Sequence, residues 1–318
     1  MVNLGAAGDI AAFVRVAAEC GLTVERDVSL ASFTTYKLGG PAGALLTLDT
    51  RDELLTALRV AAENGVCPSL VVGNGSNLLV GDGGVPGLVV HLRGDFAVLD
   101  FLPVSAVEPG VAVVRAGASV LLPVLTRQCA ARGLVGLEWC VGIPGTVGGA
   151  VVMNAGGHGS QTADWLVAAE IADFATGSVG WRPAADLGFA YRHSNLTPSE
   201  LVVAAEYRVT DGDAESALAE LANIVRWRRE NQPGGANAGS VFTNPVGDSA
   251  GRLIESCGLK GVRVGGAVVS PKHANFIQAE PGATAKDVVE LIELVRERVA
   301  RERGVSLVPE VRCVGIFD

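Results

Sequence analysis

The 318-residue chain carries a formal net charge of -9, with 49% hydrophobic and 19% charged residues. That balance predicts folded domains, two or three of them, and excludes a disordered chain. It also disfavours a nucleic-acid partner, which would need a basic patch. The densest basic run, Arg226-Trp227-Arg228-Arg229, suits either the solvated end of a helix or a local anchor for a phosphate-bearing ligand.

Asp9 to Cys20 has helical apolar spacing (Ile10, Phe13, Val14, Ala17) and stops at Gly21. No basic segment precedes it and Asp9 interrupts the apolar stretch, so no signal peptide is expected. Ala44 to Leu48 reads as a strand. Asp52 to Asn64 reads as a helix with Leu54, Leu55, Leu58 and Ala61 on one face and Gly65 as its stop. Strands follow at Ser69 to Val72 and Leu88 to Leu92, a βαβ rhythm. From Phe96 the pattern turns strand-rich, with candidates at Val111 to Arg115, Ala168 to Ile171, Val179 to Trp181 and Val202 to Val209. Leu121 to Arg132 and Asp213 to Arg229 are predicted helices. Near the end, Thr284 and Asp287 form a helix cap, and Val288, Leu291, Val295 and Val299 form the stripe behind it. Gly304 ends that helix, and Val305 to Ile316 is expected as strand.

The longest uncharged segment, Trp139 to Ala163, has the length of a membrane span. Its glycines, Pro144, Asn154 and His158 argue against one, because they would leave backbone polar groups unpaired in hydrocarbon. Cysteines at 20, 67, 129, 140, 257 and 313 and histidines at 91, 158, 193 and 273 show no metal-ligand spacing. Buried free thiols in a reducing cytoplasm are the simplest account of the cysteines, and no metal site is expected.

Two glycine-rich segments stand out. In Val72-Gly73-Asn74-Gly75-Ser76-Asn77-Leu78 a strand ends in a turn whose backbone N–H groups suit a pyrophosphate; an ordinary strand-to-turn connection is the plainer reading. The second is Gly142-Ile143-Pro144-Gly145-Thr146-Val147-Gly148-Gly149, continuing through Asn154-Ala155-Gly156. Neither has the Rossmann spacing. Two such loops suit a long cofactor lying across two subdomains.

These loops and several further motifs occur in one order along nearly the whole chain. They include Thr34-Thr35-Tyr36-Lys37-Leu38-Gly39-Gly40, Tyr191-Arg192, Ala238-Gly239-Ser240-Val241-Phe242 with Asn244-Pro245, Gly258-Leu259-Lys260-Gly261, Ser270-Pro271-Lys272-His273-Ala274-Asn275-Phe276 and Pro309-Glu310-Val311-Arg312. Together they resemble the UDP-N-acetylenolpyruvoylglucosamine reductase family of peptidoglycan synthesis. The resemblance implies an α+β chain with a two-subdomain FAD-binding fold of the vanillyl-alcohol-oxidase type over residues 1–82 and 83–210. A smaller α/β substrate domain would cover 211–304, and a strand over 305–318 would return to the active site. The short interval between Arg192 and Ser240 resembles the type that lacks an insertion there.

The resemblance also implies non-covalent FAD, NADPH as co-substrate, a cytoplasmic location, a monomer, and an enolpyruvyl sugar nucleotide as substrate. Cofactor contacts would come from Tyr36, Lys37, Leu38, Gly39 and Gly40, from Val72 to Leu78, from Gly142 to Thr146 with Gly148 and Gly149, and from Asn154, Ala155 and Gly156. Reduction of such a group needs a hydride at the CH2 carbon and a proton at the carbon bearing the carboxylate. Arg192 is the candidate for binding that carboxylate, because a guanidinium stays charged and binds with two hydrogen bonds. Glu310 is the candidate at the developing enol, and Ser240 the proton donor. Taken alone, Glu310 would be a strand-start carboxylate paired with Arg312. Tyr191, Asn244 and Lys260 are expected substrate contacts. Gly234 to Asn237 and Thr243 depart from the family pattern, at positions that bear on the substrate diphosphate and not on the chemistry.

The same sequence holds signals for other functions. Gly247-Asp248-Ser249-Ala250-Gly251 fits a hydrolase nucleophile elbow, but Asn244-Pro245 interrupts the strand that must precede it. A 2-hydroxy-acid dehydrogenase on the same flavin fold is disfavoured by the Ser240 and Glu310 motifs, and a non-catalytic flavin carrier is the third possibility.

Overall fold

The computed structural model describes residues 9–102 and 110–317. Helix Ile10–Glu19 starts at Asp9, whose carboxylate accepts from the Ala12 amide at 2.9 Å. Helix Arg51–Asn64 carries a full capping box from Thr50 and Glu53 and ends at Gly65 in the left-handed conformation. The two helices lie against each other beside a five-stranded sheet. Its path runs Thr23–Glu25, Pro41–Leu48, Val85–Leu92, Pro68–Val72, with Val28–Ser29 paired to Pro41–Leu48. The last three strands of that path are mutually parallel, as the βαβ rhythm requires. Val85–Leu92 lies between the other two, so this sheet extends past residue 82 to residue 92.

The second sheet is antiparallel. Its path runs Ser178–Pro183, Leu166–Asp173, Glu200–Asp211, Val111–Gly117, Leu99–Leu102, with Leu134–Val135 beside Glu200–Asp211. Helices Leu122–Ala130 and Ala214–Asn231 pack beside it. The two sheets share one hydrophobic core, in which Phe13, Leu54 and Leu58 of the first unit join Val114, Phe174 and Tyr207 of the second. At the seam the guanidinium of Arg51 makes two bonds, 2.5 and 2.9 Å, to the buried Glu170.

The third unit has its own core. Helices Ala250–Ser256 and Ala285–Arg303 cover a small sheet of Arg263–Val264, Ala267–Val269 and Ile277–Ala279. The predicted cap of the long helix is present: Thr284 Oγ1 accepts from the Asp287 amide at 3.1 Å. Asp82 of the first unit also accepts from the amides of Ala285 and Lys286, which ties that helix to the first unit.

Two expectations change. The C-terminal segment is strand only over Arg312–Val314, which pairs in parallel with Leu78–Val80. Ahead of it Pro309 has no N–H to offer a ladder and makes a single bridge, with Phe242. The glycine-rich stretch after Thr146 is not all loop, because Val147–Met153 is a helix. Gly148 and Gly149 are poor helix formers, yet Thr146 caps the first turn and Asn154 ends the helix in the left-handed conformation. A Cβ on Gly148 would stand 3.0 Å from Ala118 Cβ, so glycine lets this helix settle close against the end of the strand Val111–Gly117.

Candidate active site

The three units surround one cleft of about 940 Å³. Its floor is the two glycine-rich loops, which touch each other. A Cβ on Gly73 would stand 2.4 Å from Thr146 Oγ1, and one on Gly75 would stand 2.2 Å from the Phe33 carbonyl oxygen. Gly75 also has φ 56°, a conformation that glycine adopts without cost. Asn74 Nδ2 donates to the Pro144 carbonyl across the gap. Glycine at both positions lets the backbone pack this closely in the loops that line the cleft.

The far wall comes from the turn Ala190–His193, the Gly239-Ser240 turn and the segment ahead of the last strand. Arg192 and Glu310, 118 residues apart in sequence, meet in a 2.8 Å bond from Nε to Oε1. The same guanidinium donates to the carbonyls of Gly156 at 2.9 Å and Asn154 at 3.4 Å. Glu310 thus pairs with Arg192 and not with Arg312. Ser240 lies one residue from Val241, whose carbonyl accepts from the Glu310 amide at 2.7 Å. Asn275 is buried and fixes this stretch: it accepts from Phe242 N–H at 3.0 Å and donates to the Phe242 carbonyl at 2.8 Å. Asn77 ties the first loop to the same segment by donating to the Glu310 carbonyl at 3.1 Å, and its own carbonyl accepts from the Arg312 amide.

Arg192, Glu310, Ser240, Tyr191 and Asn244 all line the cleft. Lys260 does not; its ammonium is 2.7 Å from Glu255 in a surface ion pair. Asn244 reaches the cleft, but its Oδ1 accepts from the Ala250 amide at 3.0 Å and so helps start the helix Ala250–Ser256. Ser249, the would-be hydrolase nucleophile, is the N-cap of that helix, with its oxygen accepting from Arg252 N–H.

Of the expected cofactor contacts, Tyr36, Lys37, Leu38, Gly39, Gly40 and Asn154 do not line the cleft, and the rest do. The Tyr36 to Gly40 stretch is a brace. Tyr36 is buried in the core of the third unit, and burial pushes its hydroxyl pKa up. Gly40 donates to the Gly81 carbonyl at 2.9 Å, and a Cβ there would lie 2.1 Å from the Asp82 carbonyl oxygen. Its neighbour Thr35, by contrast, does line the cleft.

Four further groups line the cleft beyond the expected site residues: Thr35, Ser119, Arg228 and Arg312. Ser119 lines the cleft, and both its Oγ and Thr35 Oγ1 are buried without a protein hydrogen-bond partner. Buried hydroxyls are normally satisfied, so both point to a polar ligand. Arg228 and Arg312 also line the cleft, and burial lowers both guanidinium pKa values. Among the described residues neither has a carboxylate partner, whereas the two acids lining the cleft are taken: Glu310 by Arg192 and Glu200 by Arg182. The remaining field is positive and suits phosphate oxygens. The sequence signal for Arg228 was the basic run; nothing nearby in sequence singled out Ser119.

Comparison with known proteins supports this geometry. Residues 42–181 match the model of an FAD binding domain. Residues 231–314 match the C-terminal domain of UDP-N-acetylenolpyruvoylglucosamine reductase. Proteins with that reductase name include one from Rubrobacter xylanophilus, 44% identical over 91% of this chain and 94% of its own length. Another, from Myxococcus xanthus, is 41% identical over the whole of both chains. The chain belongs to the UDP-N-acetylenolpyruvoylglucosamine reductase family. The crystal structure of the family member from Thermus caldophilus is 41% identical, covers 92% of this chain and 99% of its own, and superposes with a TM-score of 0.77. The α+β fold, the FAD-binding unit and the reductase C-terminal domain therefore hold for this chain. FAD fits the cleft. The bared loops at Gly73, Gly75 and Gly145 to Gly149, the partnerless hydroxyls of Thr35 and Ser119, and the unpaired Arg228 and Arg312 are the groups that would hold it. Among the described residues no helix is long and apolar enough to cross a membrane.

Proposed function

We propose that Arg192, Glu310 and Ser240 carry the reduction of UDP-N-acetylglucosamine enolpyruvate to UDP-N-acetylmuramate, with NADPH as reductant, for peptidoglycan precursor synthesis. The observation that carries this reading is the Arg192–Glu310 pair, held beside Ser240 in the cleft that the glycine loops floor. When bound, FAD supplies the hydride, which originates from NADPH. Arg192 retains donor capacity beyond its three protein acceptors and binds the substrate carboxylate, where negative charge grows as the double bond is saturated. A cation already in place costs no reorganisation at that moment. Glu310 holds the guanidinium through Nε and is the second group at the developing enol. Ser240 then gives its proton to the carbon that bears the carboxylate. That Ser240 lines the same cleft as the Arg192–Glu310 pair supports this role.

Tyr191 is 59% exposed at the rim and is placed to contact the incoming sugar nucleotide. A monomer acting in the cytoplasm is part of the same proposal and rests on the family resemblance alone. A first flavin-binding unit ending near Leu92, a second ending near Asp211 and a third closing over the cleft describe the strand pairing.

The test is Ser240→Ala followed by stopped-flow measurement of each half-reaction. Bleaching of the bound flavin by NADPH should keep its rate. Reoxidation by the enolpyruvyl sugar nucleotide should slow by roughly 10²-fold or more, the scale for losing a positioned general acid. Normal reoxidation would remove Ser240 from the role, and equal slowing of both halves would make it a flavin-pocket residue.

A further inference from the structure

Arg192 has φ 55°, in the left-handed region. A non-glycine residue held there is strained and persists only when its surroundings over-determine it. The turn is narrow: Ala190 and His193 exchange backbone hydrogen bonds of 3.1 and 3.2 Å, which leaves Tyr191 and Arg192 alone at its tip. Two side chains tie this tip down. Ser194 Oγ donates to the Val152 carbonyl at 2.8 Å. The other is Asn154, only 1% exposed.

Asn154 uses every polar atom it has. Nδ2 donates to the Ala190 carbonyl at 2.9 Å and to Gln161 Oε1 at 3.1 Å. Oδ1 accepts from the Ala163 amide at 3.0 Å. Its own carbonyl accepts from Arg192 Nη1, and the Gly156 carbonyl two residues on accepts from Nη2. It is itself left-handed, with φ 40° and ψ 54°. Its carbonyl thereby turns away from the helix Val147–Met153 and toward the guanidinium. One buried amide thus joins the end of that helix, the Gly156–Gln161 hairpin and the Arg192 turn.

We infer that Asn154 is the positioning residue for Arg192: its side chain fixes the turn, its backbone carbonyl fixes the guanidinium, and it does not hold the cofactor. The inference rests on the reading that Arg192 binds the substrate carboxylate. A loosened guanidinium would weaken stabilisation of the charge that develops during substrate reduction. Hydride transfer from NADPH to the flavin would not be affected.

Asn154→Gly is the clean variant, because glycine keeps the left-handed backbone without strain and removes only the side-chain ties. In the holoenzyme, flavin bleaching by NADPH should run at the wild-type rate. Reoxidation by the enolpyruvyl sugar nucleotide should slow about 10- to 100-fold, the range for a displaced positioning contact. Affinity of the oxidised enzyme for the carboxylate product, measured by calorimetry, should fall as well. Added to Arg192→Ala, the glycine substitution should slow reoxidation no further. Wild-type reoxidation in Asn154→Gly, equal slowing of both half-reactions, or a further full decrement on the Arg192→Ala background would each overturn the inference. Should Asn154→Gly yield no holoenzyme, Gln161→Met decides. It removes one of the amide's acceptors, and it should give a smaller slowing confined to reoxidation; unchanged rates in both halves overturn the inference. A wild-type rate in Arg192→Ala alone would instead remove the catalytic reading beneath it, an outcome visible before any Asn154 variant is made.

Discussion

The glycine loops and the Arg192 turn face each other across one cleft and are built by opposite means. The loops work by leaving side chains out. They pack so closely that a Cβ on Gly73 would collide with Thr146 Oγ1 and one on Gly75 with the Phe33 carbonyl. The turn works by adding ties: a strained arginine is held by Glu310, by two carbonyls and by the Asn154 and Ser194 side chains beneath it. A cradle for a long cofactor needs access and many weak donors. A site for charge development needs one cation held in one place.

That contrast can be broken at several points. The largest effect is expected at the turn. Arg192→Ala and Glu310→Ala should retain bound flavin and lose on the order of 10²–10³ in kcat, the cost of removing one group that stabilises developing charge. Steady-state kinetics beside the flavin absorbance spectrum checks this. A loss confined to KM would mean that the pair only binds substrate.

The loops should respond differently. Gly75→Ala forces a Cβ against the Phe33 carbonyl at a positive φ. A loss of about 1–3 kcal/mol of stability, with weaker flavin retention, is expected. Thermal melting with and without added FAD measures both. Gly149→Ala sharpens the point, since its Cβ would sit 3.5 Å from Thr146 Oγ1 in ordinary contact and its φ is not positive. The apoprotein should melt no lower than wild type, because alanine favours the helix by about 0.5–1 kcal/mol, while flavin affinity falls through the new methyl in the cleft. Unchanged affinity would show that the cofactor does not approach this residue.

The smallest effect is expected outside the cleft. Lys260 is half-exposed and paired with the exposed Glu255. Lys260→Ala should change stability by less than about 1 kcal/mol and leave KM for the sugar nucleotide alone. A large rise in KM would return it to the substrate site.

The elements readable without coordinates were those whose signal lies within a turn or two of chain. The apolar stripe of Val288 to Val299 with its Thr284–Asp287 cap, the Gly65 stop and the βαβ rhythm depend on neighbours three or four residues away, and the fold bears them out. The glycine loops were legible for the same reason: absence of a side chain is written in the residue itself. The Tyr36 to Gly40 motif was legible as a motif but not as a brace, because the Asp82 carbonyl that excludes a Cβ at Gly40 lies more than a strand away. Asn154 stands beside a glycine loop and reads as a cofactor contact, and only the fold brings its amide to Gln161 and Ala190. Glu310 has Arg312 two residues off, on the same side of an extended chain, yet its partner is Arg192 on another unit. Sequence alone determined the helices and strands that carry a local signal, the glycine-rich segments and the kinds of group available to the chemistry. Which of those groups meet was decided only by the packing of three units around one cleft, since a hydrogen bond depends on distance in space and not on distance along the chain.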